Sequence, residues 1–366
     1  MNRFTINLGD VEYPIYINDD IFGDFEKRLR GLNVGGNFVI IVDEYIWRLK
    51  LDAFLRLRNN PAFHIYKIPG EKNNKSLYSA MKVFEYFEEN NISRDSTIVA
   101  IGGGVVGDLA GFVASCWYRG VNLIHIPTTL LSAVDSCVGG KTAINFRTTV
   151  NAVGTYHHPK AILIDLGLLR HLPPREISSG FGEIIKYSCI SNSEINNLLE
   201  IGNIYDLKYL SKLIELSLKE KEKLVRNDIK ESSKRLFLNF GHTIGHAIEF
   251  STVYNGKETL RHGEGVALGM LAIFRICIKL GYLADIDLDT LRLKLLKYNL
   301  PVFFNSLDLG TSRDSLVERI VELCFKDKKR TQDCLRLILV NESSQPFIFK
   351  TSDRDLIEIG VREVIK

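Results

Sequence analysis

This sequence has almost nothing that would mark it for secretion, for a membrane or for nucleic acid. No apolar run reaches the roughly 18 residues that a membrane helix needs. The N-terminus, Met1-Asn2-Arg3-Phe4-Thr5, lacks the apolar stretch of a signal peptide. The six cysteines, Cys116, Cys137, Cys189, Cys277, Cys324 and Cys334, fall into no CxxC or CxxxC spacing. That excludes a Cys-zinc ribbon and argues against a disulfide framework. The net charge is only +3, too small to hold a polyanion, so no nucleic-acid partner is expected. There is no internal repeat and no low-complexity segment. These absences leave the expectation of a soluble, cytoplasmic protein without a membrane partner.

What is present is ordinary globular composition, 45% hydrophobic and 25% charged, over 366 residues. That length suggests about two domains. The first part alternates strand-like and helical runs. Phe4–Leu8 and Tyr13–Ile17 read as a hairpin around Gly9-Asp10. Phe38–Asp43, His64–Ile68, Thr97–Ile101, Leu123–Ile126 and Ala161–Asp165 read as further strands, and Ser76–Glu89 as an amphipathic helix. Such alternation predicts a mostly parallel sheet. After Pro173-Pro174 the pattern becomes helical, with helices expected over Ile177–Cys189, Ser193–Glu200, Tyr209–Arg226, Arg235–Phe250, Gly263–Leu280 and Leu288–Tyr298. The expected fold is therefore α/β plus all-α: residues 1–174 as an α/β domain and residues 175–366 as a helical one.

Two segments carry chemistry. Gly102-Gly103-Gly104-Val105-Val106-Gly107-Asp108 holds a GxGxxG pattern between a strand and a helix expected over Leu109–Cys116. Glycines there let the backbone approach a pyrophosphate, and a helix N-terminus stabilises its charge. The next strand carries no acid, so Asp43, ending an earlier strand, is the better candidate for a ribose contact. A polar loop system with Arg119, Thr128, Thr129, Asp135, Lys141 and Asn151 follows the glycine turn. Functional loops gather at the C-terminal ends of parallel strands.

The second segment runs from His242 to Glu264. His242 and His246 sit one helical turn apart on one face, and His262 opens the next apolar run. Three of eight histidines thus fall in twenty-one residues. Neutral imidazoles suit Zn²⁺, and a catalytic zinc takes three protein ligands with one open position. An HxxxH pair is also common on helices with no metal, so the cluster needs a further ligand to be convincing.

With these residues in view, the chain resembles a known family. Gly102–Asp108, Tyr118-Arg119-Gly120, Pro127–Leu131, Val134-Asp135-Ser136, Gly139–Ala143, Gly182–Lys186, Leu238–His242 and His262-Gly263-Glu264 resemble the ordered motifs of the 3-dehydroquinate synthases, within the sugar phosphate cyclases. The resemblance spans about residues 38 to 340. It implies an N-terminal Rossmann-like NAD-binding domain, a C-terminal helical metal-binding domain and a homodimer. It implies a divalent metal, Zn²⁺ or Co²⁺, on Glu183, His242 and His262, with His246 left for acid/base work and phosphate contact. NAD would lie against Asp43, Glu71, Lys75, Gly103, Gly104, Val105, Asp108, Thr128, Thr129 and Lys141. A sugar phosphate would be held by Lys141, Asn151, Lys221, Arg235 and Asn239, by Lys328 and Lys329 of a DKK motif, and by Arg119 supplied across the dimer. Asp135 and Lys186 would act on substrate, and Glu231 would accept a proton.

The implied reaction is the conversion of 3-deoxy-D-arabino-heptulosonate 7-phosphate to 3-dehydroquinate and phosphate, with NAD regenerated in each turnover, as in aromatic amino acid biosynthesis by the shikimate route. Lys221 and Arg235 lie where the family clamps a substrate carboxylate, which favours a carboxylated substrate. Two features depart from the pattern. Val150 stands where the family has a lysine that contacts NAD, with Arg147 a nearby alternative cation, and the Glu71–Lys75 loop is spaced differently. These departures keep other cyclases open, including the amino-dehydroquinate type. A polyol dehydrogenase of the iron-dependent group is disfavoured by the clamp and by Gly-Gly-Lys.

Overall fold

A computed structural model describes residues 2–147, 149–191, 194–203, 206–226, 228–253, 259–326 and 334–366. The chain forms two compact units. One is Met1–Leu172 with Ile204–Ile229, and the other is Pro173–Asn203 with Lys230–Lys366.

The first unit is built on a seven-stranded sheet. Its strands are β1 (Asn2–Asn7), β2 (Glu12–Asn18), β3 (Phe38–Asp43), β4 (Phe63–Ile68), β5 (Thr97–Gly102), β6 (Asn122–Pro127) and, after a separate hairpin of β7 (Lys141–Phe146) and β8 (Thr149–Tyr156), β9 (Ala161–Asp165). The order is β1-β2-β9-β6-β5-β3-β4, parallel except for the β1–β2 hairpin. Its helices are α1 (Phe25–Arg30), α2 (Glu44–Leu49), α3 (Leu51–Arg58), α4 (Leu77–Glu89), α5 (Gly104–Cys116) and α6 (Leu166–Leu169). Parallel strands need both faces covered, so they read as continuous apolar runs. β3 shows the alternation: Phe38, Ile40 and Val42 pack with Phe25 and Phe54 on one face, while Val39 and Ile41 pack with Val83, Phe87 and Val106 on the other.

The second unit holds α7 (Pro174–Ile190), α8 (Glu194–Ile201), α10 (His242–Ser251), α11 (His262–Lys279), α12 (Asp285–Lys297), α13 (Arg313–Lys326) and α14 (Arg354–Val364). The helix skipped in that order, α9 (Leu207–Val225), belongs to the first unit. The second unit is not purely helical: β10 (Leu335–Val340) and β11 (Pro346–Thr351) form an antiparallel hairpin that the sequence reading missed. Among the described residues, no helix is long and apolar enough to cross a membrane.

The structure corrects several expectations. The division at residue 174 is crossed by α9, because polar contacts fix that helix to the sheet domain. Asn2 donates to Glu215 Oε2 at 2.9 Å, the Asn7 amide donates to Glu222 Oε1 at 2.8 Å, and Lys221 Nζ sits 3.0 Å from Asp135 Oδ1. The helix expected over Arg235–Phe250 is two elements. Lys234–Asn239 is a 3₁₀ turn, and Gly241, at φ +75°, breaks the chain before α10. The helix after the glycine turn starts at Gly104, not Leu109, because small residues there seat it directly on the strand end.

Candidate active site

In the first unit, the sheet directs its chemistry to one edge. β3 and β5 are neighbours, and the crossovers leave them in opposite directions, towards β4 and β6. Ligands of open α/β sheets sit at the C-terminal ends of such a switch point. There, Val42 lies opposite Ile101, so Asp43 and Gly102 end their strands side by side. Asp43 Oδ1 accepts the Tyr45 amide at 2.8 Å and caps α2. Burial raises its carboxyl above the ordinary range even though the amides of Tyr45 and Ile46 oppose the rise.

Gly103 is the N-cap of α5, which has no side-chain cap and no acid in its first turn. Gly103, Gly104 and Val105 are half-buried, so the amides of this turn remain approachable. A side chain at Gly103 would press on Thr129 at 3.0 Å. This bare, glycine-lined helix start fits the pyrophosphate of a dinucleotide. Gly103, Asp108 and Lys141 line one small cleft with His125 and Ser136. Thr128 is buried, its amide bonded to Gly102 O at 3.0 Å, and Thr129 turns its hydroxyl to Ser132 at 2.8 Å. Glu71 is exposed and caps a 3₁₀ turn.

Lys75 is not an exposed cation. It is 8% exposed, and its ammonium bonds Asp108 and the Asn151 side-chain oxygen. Burial raises the Asp108 carboxyl, against the lowering pull of Lys75. Val150 is exposed on β8, and Arg147 lies over the Phe146 ring at 5.6 Å. Asp135 sits in a π turn, Ser132–Ser136, where the Cys137 amide reaches back to Ser132 O at 3.2 Å. Lys221, 5% exposed, donates to Asp135 O at 2.6 Å. Arg119 is exposed in a run of three left-handed residues, Tyr118, Arg119 and Gly120, at φ +48°, +68° and +122°.

In the second unit, glycines let three helices meet. A Cβ at Gly263 would lie 1.8 Å from Ser179 O, and one at Gly182 would lie 2.5 Å from Gly263 O, so α7 and α11 touch backbone to backbone. α10 and α11 meet the same way, since a Cβ at Gly269 would lie 1.9 Å from Gly241 O. That close approach gathers Glu183 from α7, His242 and His246 from α10, and His262 from α11. Glu183 Oε1 lies 3.3 Å from His242 Nε2 and 3.2 Å from His262 Nε2. Ligand atoms of a tetrahedral zinc at about 2.1 Å are roughly 3.4 Å apart, so this spacing fits a divalent ion. The nitrogens of His242, His246 and His262 lie more loosely, within 4.8 Å of one another.

The surroundings complete the donor set. His242 Nδ1 lies 3.0 Å from Phe240 O, which directs Nε2 inward as a lone pair. His262 Nδ1 lies 3.5 Å from Glu249 Oε2. Glu183 is fully buried. Burial alone would raise its carboxyl, but Lys186 and the two imidazoles outweigh that and hold it well below the usual range. Burial lowers His242. His262 is also opposed by burial, yet Glu183 and Glu249 push it up to about 10. The cluster is built to hold positive charge. Glu249 was missed in the sequence reading, although His242, His246 and Glu249 follow i, i+4, i+7 spacing on one helix face.

Lys186 is 1% exposed and pairs with Glu183. Arg235 is equally buried. Asn239 donates to Glu231 Oε1 at 2.7 Å, and Glu231 holds a left-handed backbone at φ +59°. Lys328 and Lys329 lie outside the described residues.

Family models for the N-terminal and C-terminal parts of 3-dehydroquinate synthase match residues 65–179 and 180–330. The 3-dehydroquinate synthase of Dictyoglomus thermophilum is 38% identical over 363 residues, covering 98% of this chain and 97% of that protein. The chain belongs to the 3-dehydroquinate synthase family. The synthase of Alkaliphilus oremlandii is 34% identical over 370 residues, across all of this chain and 98% of that protein. A solved 2-deoxy-scyllo-inosose synthase, complexed with carbaglucose-6-phosphate, NAD⁺ and Co²⁺, superposes with a TM-score of 0.85. It shares 26% identity over 99% of this chain and 100% of that chain. The two family matches together cover the residues of the glycine turn and of the glutamate–histidine cluster.

Proposed function

We propose that this protein is a 3-dehydroquinate synthase that converts 3-deoxy-D-arabino-heptulosonate 7-phosphate to 3-dehydroquinate and phosphate. The observation that carries the metal assignment is the convergence of Glu183 Oε1 with His242 Nε2 and His262 Nε2 at 3.3 and 3.2 Å. These three are assigned to a divalent metal, Zn²⁺ or Co²⁺. When bound, the metal would supply Lewis-acid polarisation at a substrate hydroxyl and NAD a reversible hydride acceptor, with no net oxidation over a turnover.

The chain's own residues bind, orient and move protons. Asp43, Glu71, Gly103, Gly104, Val105, Thr128, Thr129 and Lys141 are assigned to NAD, with Lys75 and Asp108 behind them. Lys221 and Arg235 are assigned to the substrate carboxylate, where a guanidinium fork offers paired donors. His246 lies one turn from His242 and is assigned to proton transfer and to the leaving phosphate. Asn239 orients Glu231 by its bond to Oε1, which suits Glu231 to accept a proton. Lys186 neutralises Glu183 and is assigned to substrate with Asp135, Lys141 and Asn151. Lys328 and Lys329 are assigned to phosphate on the resemblance alone.

We further assign the protein to a cytoplasmic homodimer. Val150, Val153 and Tyr156 are exposed along β8, and among the described residues no side chain pairs with Arg119. Both features suit a second copy that receives Arg119.

The test is direct. Purified protein with the heptulosonate phosphate and a trace of NAD⁺ should release many equivalents of phosphate per cofactor, yield 3-dehydroquinate and accumulate no NADH. Stoichiometric NADH would indicate a dehydrogenase, and cyclisation of a neutral hexose phosphate in preference would overturn the carboxylate assignment.

A further inference from the structure

Glu264 belongs to the His262-Gly263-Glu264 motif, yet the reaction assigned above gives it no part. The residue is buried, and both of its carboxylate oxygens are committed. Oε1 accepts Arg175 Nε at 2.6 Å. Oε2 accepts Arg175 Nη2 at 2.6 Å and the Arg261 amide at 2.8 Å. The bond to Arg261 is a helical glutamate reaching back to its N-cap, which closes the first turn of α11. Arg175 Nη2 also donates to Thr259 O at 2.6 Å, so one guanidinium holds both the helix start and the chain that enters it.

These bonds form one end of a ladder between α7 and α11. Arg175, Ser179 and Glu183 follow at four-residue spacing along one face of α7. Their partners on α11 run in reverse order: Glu264, Gly263 and His262. Arg175 takes the Glu264 carboxylate, Ser179 Oγ accepts the Gly263 amide at 3.1 Å, and Glu183 Oε1 lies 3.2 Å from His262 Nε2. Glu176 adds a second tie at the outer end, 2.8 Å from Arg261 Nε. The middle rung is a backbone contact, with Ser179 O against Gly263. It acts as a pivot, so a tilt of α11 that opens the outer rung also moves His262 relative to Glu183.

The Arg175 side chain is about half exposed. An ion pair with an exposed member contributes little to stability. A planar fork on a carboxylate instead fixes direction, which an ammonium cannot do. The pair is better suited to setting the angle of α11 than to holding the fold together.

We propose that Arg175 is a positioning residue for the metal centre: through Glu264 it sets the first turn of α11, and with it the place of His262 Nε2 against Glu183. This rests on the assignment of Glu183, His242 and His262 to a divalent metal.

Co²⁺ is the probe, because its visible absorption reports coordination geometry with no substrate present. The full chain, stripped of metal, is titrated with Co²⁺ against a competing chelator. Arg175→Lys keeps the charge and loses the fork. Without metal it should melt close to the parent. It should bind Co²⁺ about tenfold more weakly, the lower end for changes behind a metal ligand, with an altered cobalt spectrum and parental NAD⁺ affinity. Arg175→Ala should weaken Co²⁺ binding further and also melt lower, because it leaves the buried Glu264 carboxylate short of donors. If the alanine variant does not fold, the lysine variant decides alone. Parental cobalt affinity and spectrum in Arg175→Lys make the clamp a purely structural tie and overturn the proposal. So does a parallel loss of NAD⁺ affinity, which marks general loosening. A parent that binds no Co²⁺ overturns the metal assignment and the clamp with it, whereas a parent that binds Co²⁺ while the variant matches it overturns the clamp alone.

Discussion

The ammonium of Lys75 is bonded to the side-chain oxygen of Asn151, and the same ammonium holds Asp108. The backbone repeats the link. The Asn145 amide donates to Lys75 O at 2.8 Å, and the Asn151 amide donates to Asn145 Oδ1 at 3.0 Å. Lys75 therefore fixes the β7–β8 hairpin to α5 and holds Asn151 in its left-handed conformation at φ +53°. Lys75→Met should cost roughly 1–3 kcal/mol, the range for leaving a buried acceptor unsatisfied. It should also weaken NAD⁺ binding. Urea unfolding and an NAD⁺ titration check both, and a variant as stable as the parent would deny the link.

Val150→Lys tests the missing cation. The position is half exposed on β8, so a longer side chain meets no packed core. NAD⁺ affinity should rise by about 0.5–1.5 kcal/mol, a typical net hydrogen-bond gain, and the gain should shrink at high salt. Calorimetric titration of both proteins reads this. Weaker binding would mean that Lys75 already fills the electrostatic role and a second cation only repels it.

Glu183→Gln should lose metal and turnover together, because the substitution removes the anionic ligand while keeping the volume. Elemental analysis after dialysis should find about one divalent ion per chain in the parent and far less in the variant. Chelator should lower the melting temperature of the parent, since a ligand bound only by the folded state stabilises it. The variant should show no such response. A fully metallated, inactive variant would move the metal to His242, His246 and His262.

Gly263→Ala adds one methyl where Ser179 O stands 1.8 Å away. Neither backbone can yield without parting α7 from α11. Overpacking of this kind costs about 1–3 kcal/mol, and the parting should separate Glu183 from His262. Metal affinity should fall more than stability does. Equal metal affinity in a destabilised protein would show that the cluster tolerates the shift.

His125 sets an acid limit in the sheet domain. Burial holds its folded-state pKa down to about 4, with His157 adding to the effect. Unfolded, it returns to about 6.5. The unfolded chain therefore binds the extra proton between these values, and acid favours unfolding. The contribution is fully present above about 6.5 and is lost as pH falls towards 4, to a total of about 3 kcal/mol at 1.36 kcal/mol per unit. His125→Gln should flatten the fall in stability across that window. Parallel slopes for parent and variant would place the acid sensitivity elsewhere.

The sequence by itself determined the parts that local chemistry encodes. β3 and β5 were legible because a strand buried on both faces must be apolar throughout. The glycine turn was legible because its residue type answers a backbone requirement, and the pair His242 and His246 because its spacing matches a helical turn. Motif order then supplied Glu183. Only the tertiary structure decided the rest. It broke the expected Arg235–Phe250 helix at Gly241, because α11 packs against that backbone. It moved α9 into the sheet domain, because Asn2, Asn7 and Asp135 hold it there. It turned Lys75 and Asn151 towards each other and brought Glu249 to His262. Each of these depends on what lies opposite in space, and spacing along one chain segment carries no record of that.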